Sequence, residues 1–244
     1  MLKKGLFYKN THNFFGYAFR IGIASVMKVV LILMVCNCSF ANRTIYVDDD
    51  GPADFNNIQA AIDDANDGDI VLVAPGTYAG DGNRDIDFMG KAITVKSEYG
   101  PESCIIQCGG SYPGGDRRNP IEPEYHRGFH FHSNEDANSI VQGFTVTQGY
   151  MGPQDGGAFL CIESSPVIRD CIIVGNSASD GGGIAASQSD VRVENCVITR
   201  NIASYRPWYW FYGTTSSYVG GGIFACAGNT KLLNCVVVGN AATK

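Results

Sequence analysis

Charge is scarce in this sequence. Only 17% of its 244 residues are Asp, Glu, Lys or Arg, and the basic ones are concentrated at the start. The first 41 positions hold Lys3, Lys4, Lys9, Arg20 and Lys28 and no acid, so the remainder carries 13 basic against 24 acidic residues, a net charge near −11. A body so poor in basic residues excludes nucleic acid and anionic membrane surfaces as partners, because both require a basic footprint. Its acidity suits solubility and leaves room for a divalent cation such as Ca²⁺. The chain also lacks the run of ~20 apolar residues that a spanning helix needs. Tryptophan is rarer still, with only Trp208 and Trp210, both in one short stretch.

Glycine, by contrast, is abundant at 30 residues, which with so little charge points to turns and short strands rather than long helices. The segment MKVVLILMVCNCSFA, Met27 to Ala41, has one lysine, an apolar core of about eight residues and small residues at Ser39 and Ala41. It reads as a secretory signal peptide, with a membrane anchor as the alternative. Residues 1–26 are then either a long leading region or an upstream mis-start, with Met27 the true start. The mature protein is expected to comprise residues 42–244, to be secreted or held at the cell surface, and to contain no transmembrane segment. Seven of the nine cysteines fall in it. Export permits disulfides, but an odd count leaves at least one thiol unpaired.

The second half is repetitive. GAFLCIESSPVIRDCIIVGNSA from Gly157, GGIAASQSDVRVENCVITRNIA from Gly182 and GGIFACAGNTKLLNCVVVGNAA from Gly221 align without a gap. Each copy has a cysteine at the same distance from its first glycine (Cys171, Cys196, Cys235), and an asparagine at a fixed step beyond it (Asn176, Asn201, Asn240). A degenerate earlier copy, SIVQGFTVTQG, places Phe144 and Gly149 at those positions. Each copy holds two or three short runs of strand character, which cannot bury an apolar face alone. Stacking successive units at the ~4.8 Å strand spacing solves that problem. The expected fold is all-β, a right-handed parallel β-helix. Positions offset by 25, or by 39 where an insertion intervenes, then lie one above another. The cysteines form an inward packing column, close enough in principle for one disulfide, and the asparagines an amide ladder at a turn.

The first half supplies a cap and early coils. TIYVD is a strand. NNIQAAIDDAN is a short helix, capped by Asp54 or Asn56, with Ile58, Ala61, Ile62 and Ala65 on one face. Such a helix can cover the open end of a solenoid, where backbone groups would otherwise lack partners. DIVLVAPGTY reads as a buried strand ended at Pro75-Gly76, and VDDDG, Val47 to Gly51, as a turn.

IQAAIDDANDGDIVLVAPGTY followed by GKAITVKSEYGPESCIIQ resembles the opening of many secreted right-handed β-helix proteins with the pectin-lyase-like fold. The paired glycines with a terminal asparagine are similar to the repeats of polymorphic outer-membrane proteins. Those carry phenylalanine three positions before the asparagine, where this chain has Ile173, Ile198 and Val237. The resemblance runs from about Thr44 to Ala242. It implies the fold, and for activity a polysaccharide lyase or glycoside hydrolase, but no known catalytic motif of such enzymes is complete. NIQAAIDDA resembles pectin methylesterases, yet their Gln-Asp-Thr-Leu and Asp-Phe-Ile-Phe-Gly segments are missing. RNPIEP from Arg118 has proline where the Arg-x-Pro-x-x-Arg motif of one pectate lyase family has its second arginine. The Asp-Asp pairs of polygalacturonases are missing from the repeat strands.

Candidate binding residues lie in three interruptions expected at one corner of the coil. SYRPWYWFYGTTSSY carries Tyr205, Arg206, Trp208, Tyr209, Trp210 and Tyr212, whose rings can stack on the C–H faces of sugars or fold back onto the solenoid wall. GGSYPGGDRRNPIEPEYHR, Gly109 to Arg127, carries Asp116, Arg117, Arg118, Glu122, Glu124, Tyr125, His126 and Arg127. GYMGPQD carries Asp155, and the tight link NSASDGG carries Asp180. These carboxylates can do acid/base work on a glycosidic bond, bind Ca²⁺, or simply solvate a loop. Three loops over about three coils span ~15 Å, room for a few sugar units. His130 and His132 alternate in GFHFH and face one side of a strand, two donors with no third ligand placed. The expected function is binding, with or without cleavage, of a polysaccharide at these loops. The alternative is a non-catalytic surface or adhesin module. The ending GNAATK, without a capping helix, is read as a frame that continues or a coil that a partner covers.

Overall fold

A computed structural model describes residues 42–111, 123–204 and 219–243. The expected signal segment lies outside the described residues.

Strand β1 (Thr44–Val47) and helix α1 (Ile58–Asp64) come first. The next coil holds β2 (Ile70–Val73), β3 (Gly76–Ala79) and β4 (Ile86–Asp87), followed by β5 (Thr94–Ser97), β6 (Cys104–Gln107) and β7 (Phe129–Phe131). A third coil holds β8 (Ile140–Gln142), β9 (Thr145–Thr147) and β10 (Phe159–Ile162). The repeats continue as β11 (Val167–Arg169), β12 (Ile172–Val174), β13 (Ser177–Ala178) and β14 (Ile184–Ser187), then β15 (Arg192–Glu194), β16 (Val197–Thr199), β17 (Ile202–Ala203) and β18 (Ile223–Cys226). β19 (Lys231–Leu233), β20 (Val236–Val238) and β21 (Ala241–Ala242) end the described chain.

These strands stack into three long walls. The first is β1-β2-β5-β8-β11-β15-β19, the second β3-β6-β9-β12-β16-β20, and the third β4-β7-β10-β14-β18; β13-β17-β21 form a narrow fourth. Every strand pair is parallel. The fold is a right-handed parallel β-helix, and the register is the expected one. Val167 pairs Arg192 across an uninterrupted link, and Arg192 pairs Lys231 across the aromatic insertion.

Alternation within each strand sends every second side chain into the bore. Val71, Val95, Val141, Ile168 and Val193 form one fully buried column, and Ile106, Val146, Ile173 and Ile198 another. Phe129 and Phe159 stack with centroids 5.0 Å apart. Each such side chain contributes about 1.5–3 kcal/mol by leaving water.

The corners require left-handed backbone. Asp170, Asn195 and Asn234 turn the first wall into the second with φ of 55°, 54° and 54°. Asp and Asn tolerate this region better than most side chains. At the next corner the chains approach so closely that a Cβ on Gly182 would collide with the carbonyl oxygens of Ile202 and Gly221, which accounts for the paired glycines of the repeat.

Two columns run behind these corners. Asn201 Nδ2 donates to Ile173 O at 2.9 Å and to Asn240 Oδ1 at 3.0 Å, and its Oδ1 accepts from both N and Nδ2 of Asn176 at 3.0 Å. Asn176 Oδ1 accepts from Gly149 N at 2.8 Å. In the cysteine column Cys196 Sγ lies 3.4 Å from Cys171 N and donates to Glu194 O at 3.1 Å, while Cys235 Sγ donates to Val193 O at 3.3 Å. All seven cysteines of the described residues are free thiols. Burial pushes the thiols of Cys104 and Cys108 up to about 12, so in the folded protein they are neutral packing groups.

Helix α1 buries Ile58, Ala61 and Ile62 against the first coil. Its cap is Asn57, the neighbour of the expected Asn56, and Asn57 Oδ1 accepts from Ala60 N at 2.8 Å. Asp54, the other expected cap, is committed to Tyr46 N at 2.8 Å and so fixes β1. Gln59 clamps the helix to β4: its Nε2 donates to Asp87 O and its Oε1 accepts from Asp87 N, at 3.0 and 2.9 Å. The segment 70–79 is two strands, with Pro75 at the corner between them rather than at the end of one.

Candidate functional site

Two interruptions begin after a strand of the second wall and the third after a strand of the narrow fourth, and all three end before a strand of the third wall. Residues 109–127 run from β6 to β7, residues 149–155 from β9 toward β10, and residues 205–218 from β17 to β18. Asp116, Arg117, Arg118 and Glu122, and the whole aromatic set Tyr205, Arg206, Trp208, Tyr209, Trp210 and Tyr212, lie outside the described residues. The bases of the loops are described. Ser111 and Glu124 exchange backbone hydrogen bonds of 3.0 and 3.1 Å, and His126 and Tyr150 exchange bonds of 3.0 and 2.9 Å. The rings of Tyr125 and Tyr150 stack at 5.8 Å. Glu124 is exposed.

At the described base of the first loop lies a polar cluster. Asp85, on a left-handed turn with φ of 52°, precedes β4. Its Oδ1 accepts from Arg127 N at 2.9 Å and its Oδ2 lies 2.6 Å from His126 Nδ1. Arg127 is covered, only 5% exposed. Its Nη2 donates to Gln154 Oε1 at 3.1 Å, whereas Nη1 is buried without a partner. Burial brings the Arg127 guanidinium down to about 10, against the opposing pull of Asp85 and Asp155.

Asp155 and Asp180 stand in one column, at equivalent positions of successive coils. Asp155 Oδ1 accepts from Asp180 N at 3.2 Å, and Asp180 Oδ1 from Val219 N at 2.8 Å. Burial and the neighbouring Asp180 hold the Asp155 carboxyl above its ordinary range. Both carboxylates thus also tie successive coils together.

On the outer face of the third wall, His130 pairs in register with Asp87 and Leu160. The rings of His130 and His132 lie 4.2 Å apart. His132 Nε2 meets Asp87 Oδ2 at 3.1 Å, while His130 Nε2 is buried without a partner. Burial and the nearby Arg127 bring His130 down to about 4, so its ring is neutral at pH 7. Among the described residues, the group of three ligand-type side chains whose donor atoms lie within 4.8 Å of one another is Asp48, Asp49 and Asp50, far along the chain from the two histidines. The turn VDDDG therefore gathers three acids, and His130 and His132 gain no third donor.

Residues 88–243 match the family described as the right handed beta helix region. The chain belongs to that family. No curated protein matches it in sequence. Among solved structures it is similar to a rhamnogalacturonan lyase at 14% identity and a TM-score of 0.35, over 83% of this chain and 63% of that one. A likeness so distant transfers no activity to this β-helix. Its candidate site rests on its own residues, two of which, Asp85 and Gln154, the sequence alone does not single out. Nothing in the local sequence marks Asp85, because its partners lie 41 and 42 residues away.

Proposed function

We propose that this β-helix is exported and binds a polysaccharide along the edge where the second and third walls meet. One observation carries the reading: the three interruptions of the coil emerge at the same edge. A row of loops over ~15 Å suits an extended chain of sugars better than a compact ligand. Aromatic side chains in the tryptophan-bearing stretch supply stacking faces, and the polar cluster at the loop bases supplies hydrogen bonds that fix orientation. Asp85 orients His126 through Nδ1, which leaves Nε2 as a proton acceptor, and the same Asp85 acts electrostatically on the Arg127 guanidinium. That set has the components of an acid/base centre for a lyase or hydrolase.

A second reading, a non-catalytic surface module, draws on the inter-coil bonds of Asp155 and Asp180, which employ edge carboxylates in stacking. A glycan array with the mature chain, with and without Ca²⁺, tests binding and decides whether carboxylates at the edge recruit the cation. Captured glycans are then incubated with the protein and the products analysed. Unsaturated or new reducing ends identify an enzyme, and binding without turnover identifies the surface module. Replacement of Trp208 and Trp210 by alanine should weaken glycan binding at least tenfold, since ring stacking is worth about 1–3 kcal/mol per ring. Unchanged binding and turnover in that variant would overturn the reading.

A further inference from the structure

Besides Nε of Arg84, whose guanidinium already reaches Cys108 O and Asp81 Oδ1, two buried nitrogens at this edge have no partner: Nη1 of Arg127 and Nε2 of His130. Orphaned buried donors are uncommon, because each forfeits its hydrogen bond to water without replacement. These two belong together. Arg127 lies just before the strand that carries His130, both lie at the loop-bearing edge, and Arg127 is the leading electrostatic influence on the His130 ring.

The nearby carboxylates do not fill the gap. Asp85 is committed to the backbone N–H of Arg127 and the ring of His126. Asp155 accepts from Asp180 N, and Asp87 lies against His132. Glu135 accepts from Gly90 N and Ser133 N. The Arg127 guanidinium is held by a neutral acceptor, Gln154 Oε1, and among the described residues it forms no ion pair. Asp85 and Asp155 act on it only through space, so this buried guanidinium lacks the contact ion pair that such a group normally requires.

We propose that Arg127 Nη1 and His130 Nε2 form an oxyanion site, which takes a carboxylate or sulfate group carried by the bound glycan. Planar guanidinium geometry suits an oxyanion, and neutral His130 donates when its proton sits on Nε2. That the anion belongs to a glycan rests on the reading above; the site itself stands on the two unpartnered donors.

Three oligosaccharide probes test the proposal by calorimetry: an oligouronate, its carboxyl-reduced neutral counterpart, and a sulfated dextran oligomer. At least one charged probe should bind about tenfold tighter than the neutral one, and the tighter of the two names the oxyanion. Arg127→Gln should bring the charged-to-neutral ratio to about one. His130→Leu places at this position the residue that its register neighbour Leu160 already carries, so the fold should accept it, and it should lower the ratio roughly fivefold. Equal binding of charged and neutral probes, or an unaltered ratio in His130→Leu, overturns the site while the glycan-binding reading stands. If none of the three binds, the glycan reading fails, and the site is then judged by NMR of the Arg127 and His130 side-chain nitrogens during titration with sodium sulfate and sodium acetate. Shifts that His130→Leu abolishes for Arg127 uphold it, and still spectra overturn it.

Discussion

Asn201 shows how one side chain holds three coils. Its amide joins Ile173 and Asn176 on one side and Asn240 on the other, with no exposed surface. Asn201→Leu keeps the volume and removes every side-chain bond, so Asn176 N–H is left buried and unpaired and Ile173 O keeps only its strand partner. Each such group costs about 1–3 kcal/mol, and a loss of about 3 kcal/mol is expected in urea denaturation of the variant. Glu135 performs a similar task by charge. Burial would raise its carboxyl, but the N–H groups of Ser133 and Gly90, each at 2.9 Å, outweigh burial and hold it below the ordinary glutamate range. A depressed folded value means that its stabilisation is complete above the unfolded pKa of about 4.3 and disappears as pH falls through the folded value. Glu135→Gln should therefore lose stability at pH 7 and lose progressively less toward pH 3. Thermal melts across that range check this, and a constant difference would refute it. The two residues differ in legibility. Asn201 stands out because its column recurs in three aligned copies. Glu135 and Asp85 sit in coils that do not repeat, each with a partner far along the chain, so no local pattern announces them.

The strands are readable as elements because alternation and turn residues are local properties of the chain. Helix α1 is readable for the same reason, although its cap moves to Asn57 because Asp54 is engaged by β1. Register in the early coils is not readable. Ile70, Thr94, Ile140 and Val167 stand in one column of the first wall at unequal spacings, because each coil carries a different loop. In the late coils the loop shows as a change of spacing. Ala178 pairs Ala203 at an offset of 25, and Ile184 pairs Ile223 at an offset of 39. The difference equals the length of 205–218. Ser204 N donates to Ala178 O, and Val219 N reaches Asp180, so both ends of the insertion are pinned to neighbouring positions of the coil below. Deletion of residues 205–218 should join Ser204 to Val219 in the same manner as Ser179 to Asp180, and leave the unfolding free energy within about 1 kcal/mol of the parent, because loop closure depends only weakly on length. Denaturant titration measures this. Loss of cooperative unfolding would show that the insertion is part of the wall rather than an addition to it.

In a solenoid each coil is stabilised chiefly by the coils above and below it, so stability follows position along the axis. Helix α1 covers one end, and Ile45, Val71 and Val95 behind it are fully or almost fully buried. At the other end of the described chain the same inward columns reach Leu232 and Val237, which are 42% and 47% exposed, whereas Val193 and Ile198 one coil below have no exposure. Among the described residues, backbone bonds from β19–β21 run only to the preceding coil. Local opening there uncovers little additional apolar surface, so it costs far less than opening β10–β12, which are paired on both sides. Native-state hydrogen exchange should accordingly grade along the axis. In a protein that consists of these 244 residues alone, amides of β19–β21 should exchange at least a hundredfold faster than those of β11 and β12, a free-energy difference of about 3 kcal/mol or more. The thiols offer an independent readout of the same gradient. Cys226 is exposed and Cys235 half-buried, whereas Cys161, Cys171 and Cys196 are buried. A thiol reagent should therefore modify Cys226 and then Cys235 before any other. Uniform exchange, or early modification of Cys161, would mean that the coils open together and that nearest-neighbour stacking is the wrong account of what holds this molecule.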